Sequence, residues 1–124
     1  WLNFLQKYYG INIQHACNDG EYKIPETLYH ADGFCRNTNT IYEYLGDYWH
    51  GNPIIFPSDD FNKARKCTYG EIYNNTCKRE SEIRDLGYNL VVIWESDWKR
   101  INNAIRKLQK KYSFRKKNSL TFLK

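Results

Sequence analysis

Two strand-like runs face each other across four polar residues, and this pairing constrains the chain more than any other feature. The first is Leu28 to Cys35 and the second Thr40 to Leu45, rich in β-branched and aromatic residues; Arg36-Asn37-Thr38-Asn39 between them reads as a hairpin turn. A third run, Leu90-Val91-Val92-Ile93-Trp94, is continuously apolar, as a buried strand would be. Between the hairpin and this strand, Tyr69 to Leu86 has helical character, with Ile72, Cys77, Ile83 and Leu86 roughly on one face and Gly87 as its stop. A hairpin, a helix and a buried strand in this order predict an α/β fold, a mixed β-sheet flanked by helices.

The remaining segments fit around that frame. Trp1 to Tyr9 reads as a helix cut by Gly10, and Ile11 to His15 alternates like a short strand. Asn18-Asp19-Gly20 is a turn signal. Gly46 to Pro57 holds two Gly and two Pro and is expected to be largely loop. Ser58-Asp59-Asp60 would cap a short helix from Phe61 to Cys67. Ser96 or Asp97 would cap a final helix from Trp98 to about Tyr112, with residues 113–124 frayed. With 124 residues, one domain spanning 1–124 is expected. The chain starts at Trp1, inside a helical pattern, as an excised domain would.

Charge is unevenly placed. From Lys99 onward there are ten Lys/Arg and no Asp/Glu, whereas the first 98 residues hold nine Lys/Arg against fourteen Asp/Glu. A basic end on an acidic body suggests a polyanion partner, or a solvated helix face. Cys17, Cys35, Cys67 and Cys77 are widely and irregularly spaced and contain no C-x-x-C pair, so reduced thiols are expected rather than a disulfide framework or a zinc site. No apolar run reaches the roughly 20 residues of a membrane span, and no signal peptide is visible. An intracellular protein without a membrane partner is the expectation, in cytoplasm, nucleus or viral factory.

The chemistry-bearing segment runs from Asp32 to Asn52. Asp32 and Glu43 lie on the two arms of the hairpin, where their carboxylates can meet near one end of the sheet. Two hard oxygen ligands suit Mg²⁺, with Mn²⁺ as a substitute, and such an ion polarises a phosphodiester and acidifies water. An ordinary pair of charges at strand ends has the same spacing. His50 follows on the Gly-bounded stretch Gly46-Asp47-Tyr48-Trp49-His50-Gly51, three residues from Asp47, as a proton carrier or a structural histidine. Asp47 would orient it or add a water-mediated metal contact. Tyr48 and Trp49 would fix its direction or stack on bases. His30 shares the strand with Asp32; His15 reads as core packing. Glu95 reaches the site only if its strand lies next to the hairpin. There is no P-loop, no H-E-x-x-H and no G-x-S-x-G.

The strings Asp32-Gly33-Phe34-Cys35, Asn39-Thr40-Ile41-Tyr42-Glu43, Gly46-Asp47-Tyr48-Trp49-His50-Gly51-Asn52-Pro53 and Leu86-Gly87-Tyr88-Asn89 through Trp94-Glu95 resemble the very-short-patch-repair endonucleases and their homing-endonuclease relatives, and domains of large DNA viruses and phages. The resemblance covers roughly residues 11 to 98. It implies a restriction-endonuclease-like core of the PD-(D/E)xK kind that cleaves or nicks DNA with magnesium. Asp32 takes the metal aspartate, Glu43 the second acid, and His50 the general base or acid. Leu45 stands where the lysine would be. Asp47 replaces a zinc-ligating cysteine, Trp1 to Gly10 lacks the family's helical glutamate, and Tyr44-Leu45 lacks a further histidine. The missing helical glutamate and the missing lysine motivate an alternative, a DNA-binding or targeting module without catalysis. A third reading is a protein-interaction domain with an acidic groove. The basic residues Lys99, Arg100, Arg106, Lys107, Lys110 and Lys111 would hold the DNA backbone. Cutting both strands with one site per chain would call for a dimer.

Overall fold

The computed structural model describes residues 1–122, with side chains described through residue 117. Its helices are α1 (Leu2–Tyr9), α2 (Asp47–His50), α3 (Tyr69–Asp85) and α4 (Glu95–Phe122). Its strands are β1 (Gln14–His15), β2 (Tyr22–Lys23), β3 (His30–Ala31), β4 (Gly33–Cys35), β5 (Thr40–Leu45), β6 (Phe61–Asn62), β7 (Cys67–Thr68) and β8 (Asn89–Trp94). A four-stranded mixed sheet of order β1-β4-β5-β8 is accompanied by two small hairpins, β2-β3 and β6-β7. The α/β expectation holds at this level.

The expected hairpin is β4-β5, antiparallel, with Cys35 opposite Thr40 and Gly33 opposite Tyr42. Asn39 closes its turn at φ 51°, a left-handed geometry that Asn tolerates better than most residues. The same residue fixes the next strand: the Asn39 carbonyl accepts from the Asn89 N–H at 3.0 Å, and its side chain donates to the Gly87 carbonyl at 3.1 Å. From there β8 runs parallel to β5, Thr40 opposite Asn89 through Leu45 opposite Trp94. β8 is an edge strand and only half-buried, with Val91 exposed, rather than the fully buried strand its apolar run predicts.

Alternation along β5 divides the core. Ile41 and Phe34 face a cluster with Ile24, Ala31 and Ile83 of α3, while Tyr42 and Cys35 face Ile13 and the Trp1, Leu2 and Leu5 side chains of the α1 end. Full burial of one such Ile contributes about 2 kcal/mol. α3 starts at a capping box: the Thr68 hydroxyl accepts from the Glu71 N–H at 3.2 Å, and the Glu71 carboxylate accepts from the Thr68 N–H at 2.8 Å. Its buried residues are Tyr69, Ile72, Thr76 and Ile83; Cys77 and Leu86, expected on that face, are exposed.

Gly46 to Pro57 is largely loop, as expected, with the single turn α2 inside it. Two local expectations are corrected. Phe61 to Cys67 forms the β6-β7 hairpin rather than a helix; the Asp60 and Ser58 carbonyls instead accept from Tyr69 and Gly70 at the start of α3. α4 begins at Glu95, so Ser96 and Asp97 lie inside it rather than capping it, and it continues past Tyr112 through the segment expected to fray; residues 123–124 lie outside the described residues. All four cysteines are free thiols. Among the described residues, no helix is long and apolar enough to cross a membrane.

Candidate active site

Asp32 interrupts its strand: β3 ends at Ala31 and β4 begins at Gly33, with a bend between. The interruption has a visible consequence. Ala31 and Phe34, three residues apart, both enter the core cluster on the α3 side, which unbroken period-2 alternation forbids. The bend turns the Asp32 carboxylate toward β5, where its Oδ2 accepts from the Tyr44 N–H at 2.7 Å. Glu43 lies one position before Tyr44, 5% exposed. The Asp32 and Glu43 carboxyls lie within electrostatic reach of each other, as the hairpin expectation has them.

The electrostatics of Glu43 reflect its position. Burial pushes its carboxyl up from the usual carboxylate range to about 7, the Arg79 guanidinium pulls it down, and the neighbouring Asp32 carboxylate pushes it up again. Arg79 Nη2 lies 2.7 Å from Glu43 Oε1 and also donates to the His30 carbonyl at 2.8 Å. The Arg79 guanidinium stacks 4.5 Å from the centroid of the Tyr29 ring. Sequence reasoning missed Arg79, although a signal existed. Ile72, Thr76, Arg79 and Ile83 follow helical spacing along the buried stripe of α3, and an Arg on an apolar stripe asks for a buried carboxylate.

His50 ends α2, a single turn packed directly on α3. Gly51 makes that contact feasible: its φ is 68°, and a Cβ there would sit 2.6 Å from the Tyr69 carbonyl oxygen and 3.0 Å from the Tyr73 nitrogen. The result sets the His50 ring beside Thr76, whose Oγ1 lies 3.4 Å from Nδ1 and 3.1 Å from the His50 carbonyl. Burial lowers the imidazole below its ordinary value; Arg79 lowers it further, Asp32 acts in the opposite direction, and Arg65 lowers it again. His50 thus shares one electrostatic neighbourhood with Asp32 and Arg79.

Asp47 is placed differently from the expectation that it orients His50. Its Oδ1 accepts from Asn52 Nδ2 at 2.8 Å and from the Ser96 hydroxyl at 3.1 Å, and its Oδ2 accepts from the Ser96 N–H at 3.1 Å. Both oxygens are engaged in joining α2 to the start of α4, where a carboxylate satisfies an N-terminal N–H and complements the helix dipole. The cap sought at Ser96 or Asp97 is thus supplied by Asp47. Asn52, 2% exposed, is a second residue that sequence reasoning did not single out.

The remaining candidates divide. Trp49 is 56% exposed beside His50, while Tyr48 turns to the β6-β7 hairpin, donating to Asn62 Oδ1 at 3.2 Å and packing edge-on to Phe56 and Tyr69. His30 contributes its carbonyl to Arg79, and His15 is buried, its Nδ1 accepting from the Cys17 N–H at 3.3 Å. Glu95 does follow a strand adjacent to the hairpin, yet its carboxylate pairs with Lys99 at 2.9 Å. Arg100 pairs with Asp97 at 3.1 Å, and Arg106, Lys107, Lys110 and Lys111 are exposed along α4.

Two hard carboxylate donors, with the Asp32 charge disfavouring ionisation of Glu43, form a set that a divalent cation would relieve. Among the described residues, no group of three or more His, Cys, Asp or Glu is arranged to hold an ion. Mg²⁺ takes one or two carboxylates and completes its shell with water and phosphate, a coordination that this pair of carboxylates would suit. No family model, no curated protein and no solved structure matches the chain.

Proposed function

We propose that this chain is a Mg²⁺-dependent endonuclease that hydrolyses phosphodiester bonds in DNA, built on a restriction-endonuclease-like core. The observation that carries the reading is the bend at Asp32, which brings its carboxylate against the buried Glu43 beside His50. The resemblance of residues 11 to 98 to the very-short-patch-repair and homing endonucleases supports it.

Asp32 and Glu43 are the metal-holding residues, and a bound Mg²⁺ supplies a polarised phosphodiester and a more acidic water. The Tyr44 N–H orients the Asp32 carboxylate. His50 accepts the proton of the attacking water. Its lowered basicity keeps the imidazole neutral at pH 7, as a base requires. The Thr76 hydroxyl has one proton to give, and carbonyls of His50 and Ile72 lie 3.1 and 3.2 Å from it. With that proton donated to a carbonyl, the Thr76 oxygen accepts from Nδ1–H and leaves Nε2 as the basic nitrogen.

Arg79 favours a second reading, a DNA-binding module of the same architecture without catalysis, because its guanidinium already pairs with Glu43. Incubation with supercoiled plasmid separates the two. Conversion to nicked or linear DNA in Mg²⁺ or Mn²⁺, abolished by EDTA, is the expected result. A salt-sensitive gel shift with no conversion in any metal would establish the module instead.

A further inference from the structure

Two grooves open beside the candidate carboxylates, and they differ in charge. One is lined by Asp32, Glu21, His15, Tyr44, Trp1 and Trp98. Without a bound cation, its two acids disfavour a polyanion. The other, of about 320 Å³, lies between the end of α2 and α3 and is lined in part by Trp49, His50, Arg65, Thr76, Lys78 and Arg79. It has three cations, and none of its lining residues is an Asp or Glu.

Two of these cations are set in place before any ligand arrives. Arg79 is held by Glu43, the His30 carbonyl and the Tyr29 ring. Arg65 Nη1 donates to the Trp49 carbonyl at 3.0 Å, which fixes its guanidinium at the groove edge. A guanidinium carries five N–H donors in a rigid fork, so each Arg keeps donors for another acceptor. Lys78 is more loosely held. Its Nζ lies 3.9 Å from Glu82, the pair is open to solvent, and the Tyr29 hydroxyl also donates to the Glu82 carboxylate. Preset donors lower the ordering cost of binding.

We infer that this α2–α3 groove is a phosphodiester-docking site for a DNA strand, with Arg65, Lys78 and Arg79 as the anion-holding residues. The inference rests on the nucleic-acid reading above and deepens it. A phosphate in the groove lies beside His50, the residue proposed to take the proton.

The test measures binding of a labelled DNA duplex in EDTA across a salt series, so that no cleavage intervenes. Wild type is compared with Arg65→Gln/Lys78→Gln, and with Lys110→Gln/Lys111→Gln on α4. The groove variant is expected to bind at least about tenfold more weakly at low salt, with the log–log salt slope reduced by about 2 for two lost phosphate contacts. The α4 variant is expected to change the slope less. Lys78→Glu alone, on the exposed side of α3, repeats the test should the Arg65 substitution perturb folding. Wild-type affinity and slope in the groove variants, or no DNA affinity in the wild type, would overturn the inference. Groove-dependent binding without Mg²⁺-dependent plasmid conversion leaves the groove standing and the nuclease reading refuted. Metal-dependent conversion with groove variants binding normally gives the reverse.

Discussion

The Arg79 guanidinium lies 2.7 Å from the Glu43 carboxylate and joins α3 to the central strand of the sheet. The Glu43 side chain is almost fully buried and that of Arg79 about one quarter exposed, so neither is fully solvated when unpaired. Removing one partner of such a pair leaves the other uncompensated. Arg79→Ala should destabilise the fold by about 3 kcal/mol at pH 8. Near pH 5.5 the cost should be smaller, because Glu43 then holds a proton and needs the cation less. Urea denaturation at the two pH values measures the difference.

The raised Glu43 carboxyl also predicts how the metal-free protein responds to pH. Its folded value, about 7, lies above the ordinary 4.5, so the folded state binds the proton more tightly than the unfolded chain. The resulting contribution is complete below pH 4.5 and is lost as pH rises to about 7, a change of about 3 kcal/mol. Glu43→Gln keeps an oxygen for Arg79, cannot ionise, and should lack this downward slope in EDTA. Melting curves across this pH range, with parallel slopes in both proteins, would show that Glu43 ionises freely.

Asp47 should behave as a structural residue. Asp47→Ala leaves the Asn52 amide and the Ser96 N–H without their acceptor, a loss of about 2 kcal/mol. The melting temperature should fall, while the cleavage rate per folded molecule in Mg²⁺ stays near wild type. A rate loss of about a hundredfold at unchanged stability would return Asp47 to the catalytic set.

Much of this frame is written locally. Gly10 and Gly87 end helices, the Arg36 to Asn39 turn makes the hairpin, and alternation along Thr40 to Leu45 sorts its two faces. The hairpin brings Asp32 and Glu43 to one level, and the bend at Asp32, which carries no local signal, turns its carboxylate toward β5. The missed parts depend on contacts between distant segments. α2 is one turn long, too short for a periodic signal, and is held by the approach of Gly51 to the α3 backbone. Two-residue strands carry no alternation, so β6-β7 was legible only as the polar capping pattern that suggested a helix. Arg79 reaches Glu43 because α3 crosses that face of the sheet, and Asp47 reaches Ser96 because β8 runs parallel beside β5.

His50 is assigned the proton. His50→Gln should slow Mg²⁺-dependent cleavage by about 10²–10⁴-fold with DNA affinity in EDTA nearly unchanged. The acid limb due to His50 should lie below pH 6.5, since burial and Arg79 lower the imidazole. A single-turnover pH–rate profile of wild type and variant checks both points; equal rates would remove His50 from the chemistry.

The most direct measurement compares wild type with Asp32→Asn on supercoiled plasmid in Mg²⁺, with melting temperature and DNA affinity measured on the same preparations. Asn keeps an oxygen for the Tyr44 N–H and removes the charge that would hold the metal. The predicted result is metal-dependent nicking by wild type and none by the variant, at comparable stability and DNA binding. Undiminished cleavage by Asp32→Asn, or no cleavage by the wild type in either Mg²⁺ or Mn²⁺, would contradict it.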